Sequence, residues 1–213
     1  MIRLIETVRI RDGSAPLWYL HLRRLATSCK ALGIPLPGEL LTPAGGPDRV
    51  HRLEVGRAGV EITERPLGGL ASVRLVTSSV PHRPYPHKTT DRGQFDRALT
   101  VARASGADDA LLLTPGGAYL AECAVWALFW WEDGRVCTPA LELGILPSVA
   151  RARVAELAGG GGLRERRVGV DGVRGRALFL GNAARGLVPV ASLDREEVPE
   201  AAETSVLARR FWA

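Results

Sequence analysis

The alternation of apolar and polar residues predicts a small mixed unit at the start of the chain. Residues 2–10 alternate and are rich in β-branched side chains, as in a half-buried strand, and Asp12-Gly13 forms a turn after them. Apolar residues then recur on one helical face over residues 21–32, and Gly33 ends this helix. Further strands are predicted at residues 17–20, 50–55, 59–65 and 72–79.

A proline-rich segment separates this unit from a second, larger one. Residues 81–86 contain three prolines, which exclude regular structure there. The chain is therefore predicted to have a small α+β domain, a linker and a larger α/β domain, at residues 1–81, 82–86 and 87–213. In the larger domain the pattern predicts helices at 91–104 and 147–158 and strands at 110–113, 119–122, 125–131, 135–137, 168–170 and 177–181.

The composition indicates a soluble globular protein. The chain has 213 residues, of which 46% are apolar and 24% charged, as expected for a globular protein with a sizeable core. No apolar run approaches the ~20 residues of a membrane span, and the charged N-terminus lacks a signal-peptide core. Cys29, Cys123 and Cys137 show no metal spacing and cannot all pair, which favours a reducing, cytoplasmic setting.

The basic balance of the chain favours small anionic ligands over nucleic acid. The net charge is +5, but the arginines are spread along the chain and no nucleic-acid-binding motif accompanies them. The four histidines form neither a metal-binding spacing nor a catalytic triad. We therefore expect no metal site, no nucleic-acid partner and no membrane partner.

Lysine is almost absent, which draws attention to the two that remain. Of the 28 basic residues other than histidine, only Lys30 and Lys88 are lysines. Arginine can carry charge, but it cannot readily give up its proton and attack a carbonyl. Lys88 lies before a helical pattern, in the segment Tyr-Pro-His-Lys-Thr-Thr-Asp-Arg. It is a candidate reactive amine, although an ordinary exposed lysine or a nucleotide-composition bias would leave the same pattern.

Five segments in a fixed order resemble the class IV pyridoxal-phosphate enzymes, the fold-type IV family. They are residues 21–35, 87–92, 122–129, 138–151 and 181–190. The family holds branched-chain and D-amino-acid aminotransferases and 4-amino-4-deoxychorismate lyase. The resemblance extends from Glu6 to about Leu193. It implies an α+β fold in which pyridoxal 5'-phosphate lies between a small N-terminal domain and a larger, barrel-like C-terminal domain.

The resemblance implies catalytic and cofactor-binding roles for particular residues. Lys88 would condense with the aldehyde of the cofactor, and burial would lower its pKa enough for attack. Glu122 would face the pyridine nitrogen and keep it protonated, so that the ring draws electrons from the substrate. Its apolar surroundings argue for such a partner, whereas a solvated carboxylate at a strand end is the alternative.

The same resemblance implies a phosphate site at the start of a helix. The backbone amides of Val149 and Ala150 would hold the phosphate, helped by the helix dipole. Arg24 would pair with the same phosphate, although it could instead be a surface charge of its helix. Asn182 and Ala183 would supply further phosphate contacts, or they form a plain turn after a strand.

Departures from the family pattern concern the substrate more than the cofactor. Ala150 stands where many relatives have Thr, Ala127 where many have Asn, and Gly93 where aminotransferases often have Tyr. The chain also starts at the Glu-Thr-Val-Arg segment, which most members precede with a strand pair. We therefore expect part of the substrate wall to differ from that of typical relatives.

Three functions stay open at this point. Residues 85–92 and 182–189 look like the lyase domain that some bacteria fuse to aminodeoxychorismate synthase, which favours 4-amino-4-deoxychorismate lyase in folate synthesis. A class IV aminotransferase would use the same lysine and glutamate. A non-catalytic anion-binding relative is the third reading. For the enzymes the resemblance implies a homodimer, a small anionic amino substrate and possible association with aminodeoxychorismate synthase.

Overall fold

The computed structural model describes residues 2–40, 42–159 and 162–213, which form two β-sheets and four α-helices. The strands are β1 Leu4–Ile10, β2 Arg49–Gly56, β3 Gly59–Arg65, β4 Val73–Thr77, β5 Asp109–Leu113, β6 Leu120–Cys123, β7 Ala127–Glu132, β8 Arg135–Pro139, β9 Arg164–Arg166, β10 Leu178–Asn182, β11 Gly186–Leu193 and β12 Glu196–Glu197. The helices are α1 Trp18–Leu32, α2 Gly93–Ala104, α3 Val149–Leu157 and α4 Ala202–Arg210. None of these helices has the length and apolar character that a membrane span requires.

The small sheet has two chemically different faces. It is antiparallel in the order β1-β2-β3, and Thr7 pairs with Arg52 in its register. Because side chains alternate across a strand, one face carries Leu4, Val8, Leu53 and other apolar residues that pack on α1. The other face carries the residues between them in sequence, and it turns toward the large sheet.

The large sheet is mixed and curls into a half-barrel. Its order is β6-β5-β4-β11-β10-β7-β8-β9, with β12 on β11. Strand β4 runs parallel to β5 and β11, and β8 runs parallel to β9, whereas the other pairs are antiparallel. One core cluster fills the inside of the curl, around Trp126, Leu128 and Trp130. A second, around Phe129 and Phe179, packs the sheet against α3 and α4.

The predicted α+β class is confirmed, but two predicted strands are wrong. Residues 17–20 begin helix α1, because Leu17 and Leu20 are both buried and the Leu20 amide donates to the Leu17 carbonyl at 3.0 Å. Residues 168–170 do not form a strand; a 3₁₀ turn covers Val170–Val173, and β9 pairs with β8 instead. Helix α4 and strands β9, β11 and β12 were not predicted.

The predicted domain boundaries stay a prediction, and one strand bears on them. Strand β4 precedes the predicted linker, yet it lies in the large sheet between β5 and β11. Residues 82–86 contain no helix or strand, as their prolines suggested. They are nevertheless packed into the protein, since His82 and Tyr85 are buried.

Candidate active site

A cavity of about 450 Å³ lies between the two sheets. It is bordered by the free face of the small sheet, by the chain before α2, by the start of α3 and by the turn between β10 and β11. All seven residues that the sequence singled out line it: Arg24, Lys88, Glu122, Val149, Ala150, Asn182 and Ala183. Their individual roles stay predictions, but the fold brings them to one place.

Strand β1 fixes the backbone of the candidate reactive lysine. The amide of Ile5 donates to the Lys88 carbonyl at 2.8 Å, so the segment after the prolines runs beside the edge of the small sheet. The buried hydroxyl of Tyr85 bonds the amide and the carbonyl of Thr89, each at 2.6 Å. With its backbone held on both sides, Lys88 directs its side chain into the cavity.

The environment of Lys88 favours its neutral form. Burial, followed by the charges of Arg24 and Arg92, lowers the pKa of Lys88 from 10.5 to about 7, against the opposing charges of Glu6 and Glu122. A large fraction of this amine is therefore unprotonated near neutral pH. A neutral amine is the nucleophilic form that condenses with an aldehyde, and it can also accept a proton.

Glu122 lies on β6, and its hydrogen bonds within the described residues involve only one of its two carboxylate oxygens. Its Oε1 accepts hydrogen bonds from His82 Nε2 at 2.9 Å and from the Leu146 amide at 3.1 Å. In the described part of the chain, Oε2 has no hydrogen-bond partner, so this oxygen is available to a donor in the cavity. Sequence reasoning missed His82, because a buried histidine between prolines carries no recognisable spacing.

The start of α3 forms a set of backbone donors. Ser148 caps the helix by accepting from the Arg151 amide at 3.0 Å, which leaves the amides of Val149 and Ala150 without an intrahelical acceptor. Pro147 lies before this cap, so the helix begins two residues after the predicted start at residue 147. Two unpaired amides and the positive end of the helix dipole favour a phosphate.

A glycine lets β10 approach this helix closely. A Cβ at Gly181 would lie 2.8 Å from Leu187, 3.0 Å from Phe129 and only 3.2 Å from the Cβ of Ala150. Any side chain there would push β10 away from α3. The next residue, Asn182, uses its side-chain oxygen to accept from two amides of its own turn, at 3.1 and 2.8 Å. Its side chain therefore shapes the turn at the cavity edge.

A buried acid on the small sheet positions Arg24. Glu6 accepts from Arg24 Nε at 3.0 Å and from Arg24 Nη2 at 2.5 Å, and His21 Nδ1 lies 2.5 Å from Glu6 Oε2. Burial opposes ionisation of Glu6, but Arg24 and His21 outweigh it and lower the pKa to about 2. Because Glu6 engages two of the three guanidinium nitrogens, Nη1 remains for a ligand in the cavity.

The position of Glu6 in the sequence is itself a signal for this cluster. Glu6 stands between Leu4 and Val8 on the face of β1 that packs on α1, so alternation alone places a carboxylate in the core. A buried carboxylate requires partners. His21 and Arg24 are three apart on α1 and share one helix face, which makes them the natural candidates.

A second buried acid fixes the loop that follows Glu122. Asp109 accepts from the Val125 amide at 3.1 Å, and Arg92 Nη2 donates to the Ala124 carbonyl at 2.8 Å. Burial raises the pKa of Asp109 to about 6, against its backbone hydrogen bonds. Asp109 and Arg92 thereby fix the backbone of the loop that lines the cavity after Glu122.

Residues 60–193 match the family described as Amino-transferase class IV. The chain belongs to this family. A fold IV transaminase from Curtobacterium pusillum is 25% identical, with a TM-score of 0.86, over 99% of this chain and 84% of that one. A candidate amino-acid aminotransferase from Mesorhizobium loti is 27% identical, with a TM-score of 0.78, over 90% and 100% of the two chains.

A third solved structure resembles the chain to a similar degree. It is a candidate 4-amino-4-deoxychorismate lyase that is 25% identical, with a TM-score of 0.82, over 99% of this chain and 90% of that one. A comparison with curated protein sequences found no match. The relatives thus include candidate lyases and transaminases at similar levels of similarity, so they indicate the family and the fold without separating the two reactions.

Members of the class IV family depend on pyridoxal 5'-phosphate, and the residues around the cavity fit that group. Lys88 supplies an amine of lowered pKa for the aldehyde, and Glu122 Oε2 supplies an acceptor for a protonated ring nitrogen. The first amides of α3 and the free nitrogen of Arg24 supply donors for the phosphate. The loss of a hydroxyl at Ala150 leaves these backbone donors in place.

Proposed function

We propose that this chain is a pyridoxal-phosphate-dependent 4-amino-4-deoxychorismate lyase, which forms 4-aminobenzoate and pyruvate for folate synthesis. The observation that carries the proposal is the charge of the cavity lining. Seven basic residues line it: Arg24, Arg52, Arg65, Lys88, Arg92, Arg103 and Arg185. Of these, Arg24, Arg52 and Arg92 are paired with acids outside the lining, whereas Arg65, Arg103 and Arg185 form no ion pair in the described part of the chain. Among the described residues two acids line the cavity, Glu122 and Asp108, and Asp108 is bound to Arg74 at 2.9 Å. A dianionic substrate suits such a lining.

The residues of the cavity supply the proton transfers that this reaction needs. Bound pyridoxal phosphate would provide an electron sink next to the substrate amine. Lys88, with a pKa of about 7, takes the proton from the ring carbon that bears the amine. Cleavage of the carbon–oxygen bond to the enolpyruvyl group then makes the ring aromatic. A proton returned to the enol carbon gives pyruvate, which balances the reaction.

Glu122 and Gly93 also support the proposal. Glu122, bonded through Oε1 alone, keeps Oε2 for the ring nitrogen, which favours the protonated and more electron-withdrawing ring. Gly93 begins α2, at the position where aminotransferases of the family often carry a tyrosine. The lack of a phenol there favours the lyase only modestly, since both reactions begin with the same proton abstraction.

The test is a direct assay of both products. The protein is incubated with pyridoxal phosphate and aminodeoxychorismate, 4-aminobenzoate is followed by its fluorescence, and pyruvate by reduction with a coupled dehydrogenase. Equal amounts of the two products are expected. Absence of both, together with turnover of an amino acid and 2-oxoglutarate, would establish the aminotransferase instead.

The aminotransferase is the second candidate, because the Curtobacterium transaminase matches as closely as the lyase structure does. A non-catalytic role is the third. It predicts a protein that stays colourless in the visible range after addition of pyridoxal phosphate. The lowered pKa of Lys88 argues for the coloured outcome.

We also propose, from the family resemblance, a cytoplasmic homodimer that can associate with aminodeoxychorismate synthase. Light scattering coupled to gel filtration, with and without the synthase, tests both assemblies.

A further inference from the structure

Two arginines line the more exposed part of the cavity, which we call its mouth. One comes from the small sheet and the other from a turn of the large sheet. Arg65 is the last residue of β3, opposite Val50, on the small-sheet face that also carries Arg52. Arg185 lies in the turn between β10 and β11 of the large sheet. Both line the cavity. We call Arg65 and Arg185 the mouth pair.

The mouth pair carries charge that no acid neutralises. Arg52, on the same face, donates to Glu54 Oε1 at 3.0 and 2.8 Å and is thereby compensated. Arg185 donates instead to the Gly68 carbonyl at 2.6 Å. Within residues 2–40, 42–159 and 162–213, neither Arg65 nor Arg185 forms an ion pair, although most arginines of this chain do. Uncompensated like charges at a cavity entrance favour an anionic ligand.

The contact between Arg185 and Gly68 also places an apolar wall beside the mouth pair. It fastens the segment between β3 and β4 to the large-sheet side. Leu67 and Leu70 of that segment line the cavity. A ligand at the mouth therefore meets apolar side chains next to two guanidinium groups, which suits a carbocyclic ring with charged substituents.

We propose that the mouth pair binds a substrate carboxylate that is remote from the reacting amine. The inference rests on the proposed lyase function and sharpens it. An amino acid undergoing transamination carries its carboxylate on the carbon that bears the amine. Aminodeoxychorismate carries neither of its two carboxylates there. One is on the ring carbon opposite the amine, and the other is on the enolpyruvyl ether of the ring carbon next to the amine. With the amine near Lys88, the ring carboxylate points away from the reacting carbon and toward the mouth of the cavity. At the mouth, Arg65 and Arg185 supply donors that match a carboxylate.

Binding can be tested without catalysis by using chorismate, a dianion of similar shape that lacks the amine. Its affinity for the pyridoxal-phosphate-loaded protein is measured by titration calorimetry. Arg65→Gln and Arg185→Gln should each weaken binding about tenfold, the size of one charged hydrogen bond. Arg57→Gln is the matched control, because Arg57 is an exposed arginine in the β2–β3 turn and does not line the cavity. It should change the affinity less than about twofold.

Kinetics with aminodeoxychorismate then locate the effect. The two mouth variants should raise KM about tenfold and leave kcat within about twofold, since the lost contact is equally strong before and during the reaction. Chorismate binding that is equal in wild type, Arg65→Gln and Arg185→Gln would overturn the inference. Wild-type protein that binds chorismate through the mouth pair but forms no 4-aminobenzoate would instead overturn the lyase and leave the anion site standing.

Discussion

The floor and the mouth of the cavity differ in how their charged side chains are paired. The floor comprises Arg24, Lys88 and Glu122 together with the residues that hold them. Here Arg24 is bonded by Glu6, a core acid that also bonds His21. Glu122 is likewise anchored by His82 and a backbone amide. At the mouth, Arg65 has no partner in the described part of the chain, and Arg185 has only a carbonyl. The floor is completed by the protein itself, whereas the mouth is completed by a ligand.

This difference explains why the cofactor can be inferred more firmly than the substrate. A floor built from fixed donors has one shape and one charge, and it fits an aldehyde, a ring nitrogen and a phosphate together. A mouth of extended arginines can accept anions of several shapes. The fold by itself therefore does not fix the reaction, because one fold can host several.

The largest effect is expected when the reactive amine of the floor is removed. Lys88→Ala should abolish the visible absorbance of lysine-bound cofactor and lower turnover at least about 10³-fold, because both the nucleophile and the base are lost. The chain offers one matched control, Lys30→Ala, in which the other lysine is exposed at the end of α1. It should behave as wild type in both absorbance and turnover. Equal loss in both variants would show that Lys88 has no special role.

Glu122→Gln is expected to have the next largest effect. An amide in place of the free carboxylate oxygen no longer keeps the ring nitrogen protonated, so kcat should fall about 10²-fold while the visible absorbance of the lysine-bound cofactor persists. Steady-state rates and an absorbance spectrum of the same sample measure the two quantities. Glu203→Gln, an exposed acid in α4, serves as the control. Unchanged kcat in Glu122→Gln would remove Glu122 from the catalytic set.

The sequence predicted those parts of the fold and site that depend on local pattern. Alternation in β1 to β3 and the helical period of α1 and α2 come from residues near one another in the chain, and the confirmed α+β class follows from them. From the order of the motifs, the sequence predicts that Lys88, Glu122 and the start of α3 form one site, although they are far apart in the chain. The structure places all three on one cavity.

The parts that the sequence did not predict depend on long-range contacts. The first turn of α1 contains Trp18 and Tyr19, which favour a strand locally, and tertiary packing of Leu17 and Leu20 makes it helical. The bond between His82 and Glu122 spans 40 residues, and no periodicity connects them. The partners of Glu6 could have been inferred from its place on the apolar face of β1, but the bonds themselves could not.

The stability of the protein at acid pH tests whether Glu6 is ionised and paired in the folded state. The pKa of Glu6 falls from 4.5 to about 2 on folding, so its contribution is present above pH 4.5 and is lost as the pH falls through about 2. The shift corresponds to roughly 3 kcal/mol. Glu6→Gln should lack this part of the pH dependence and be less stable at pH 7, because Arg24 and His21 lose their buried partner. Urea unfolding at several pH values measures it.

Asp109 provides an internal control of opposite sign. Its pKa rises from 3.8 to about 6 on folding, so its contribution is present below pH 3.8 and is lost as the pH rises through about 6. Asp109→Asn should therefore flatten the upper part of the stability profile and leave the acid limb in place. If Glu6→Gln retained the wild-type acid limb, Glu6 would not be an ionised, paired group of the floor.

The smallest effect on stability is expected at the mouth, because the charge of Arg65 contributes to ligand binding and not to folding. Arg65→Gln should change the free energy of unfolding by less than about 0.5 kcal/mol, because Arg65 is exposed and bonds no acid. Arg24→Gln is its counterpart at the floor and should cost about 3 kcal/mol, since Glu6 is left buried and only partly paired. Urea unfolding at pH 7 without ligand compares the two variants. If both variants lost a similar free energy of unfolding, Arg65 would support the fold as Arg24 does. The difference between floor and mouth would then not hold for Arg65.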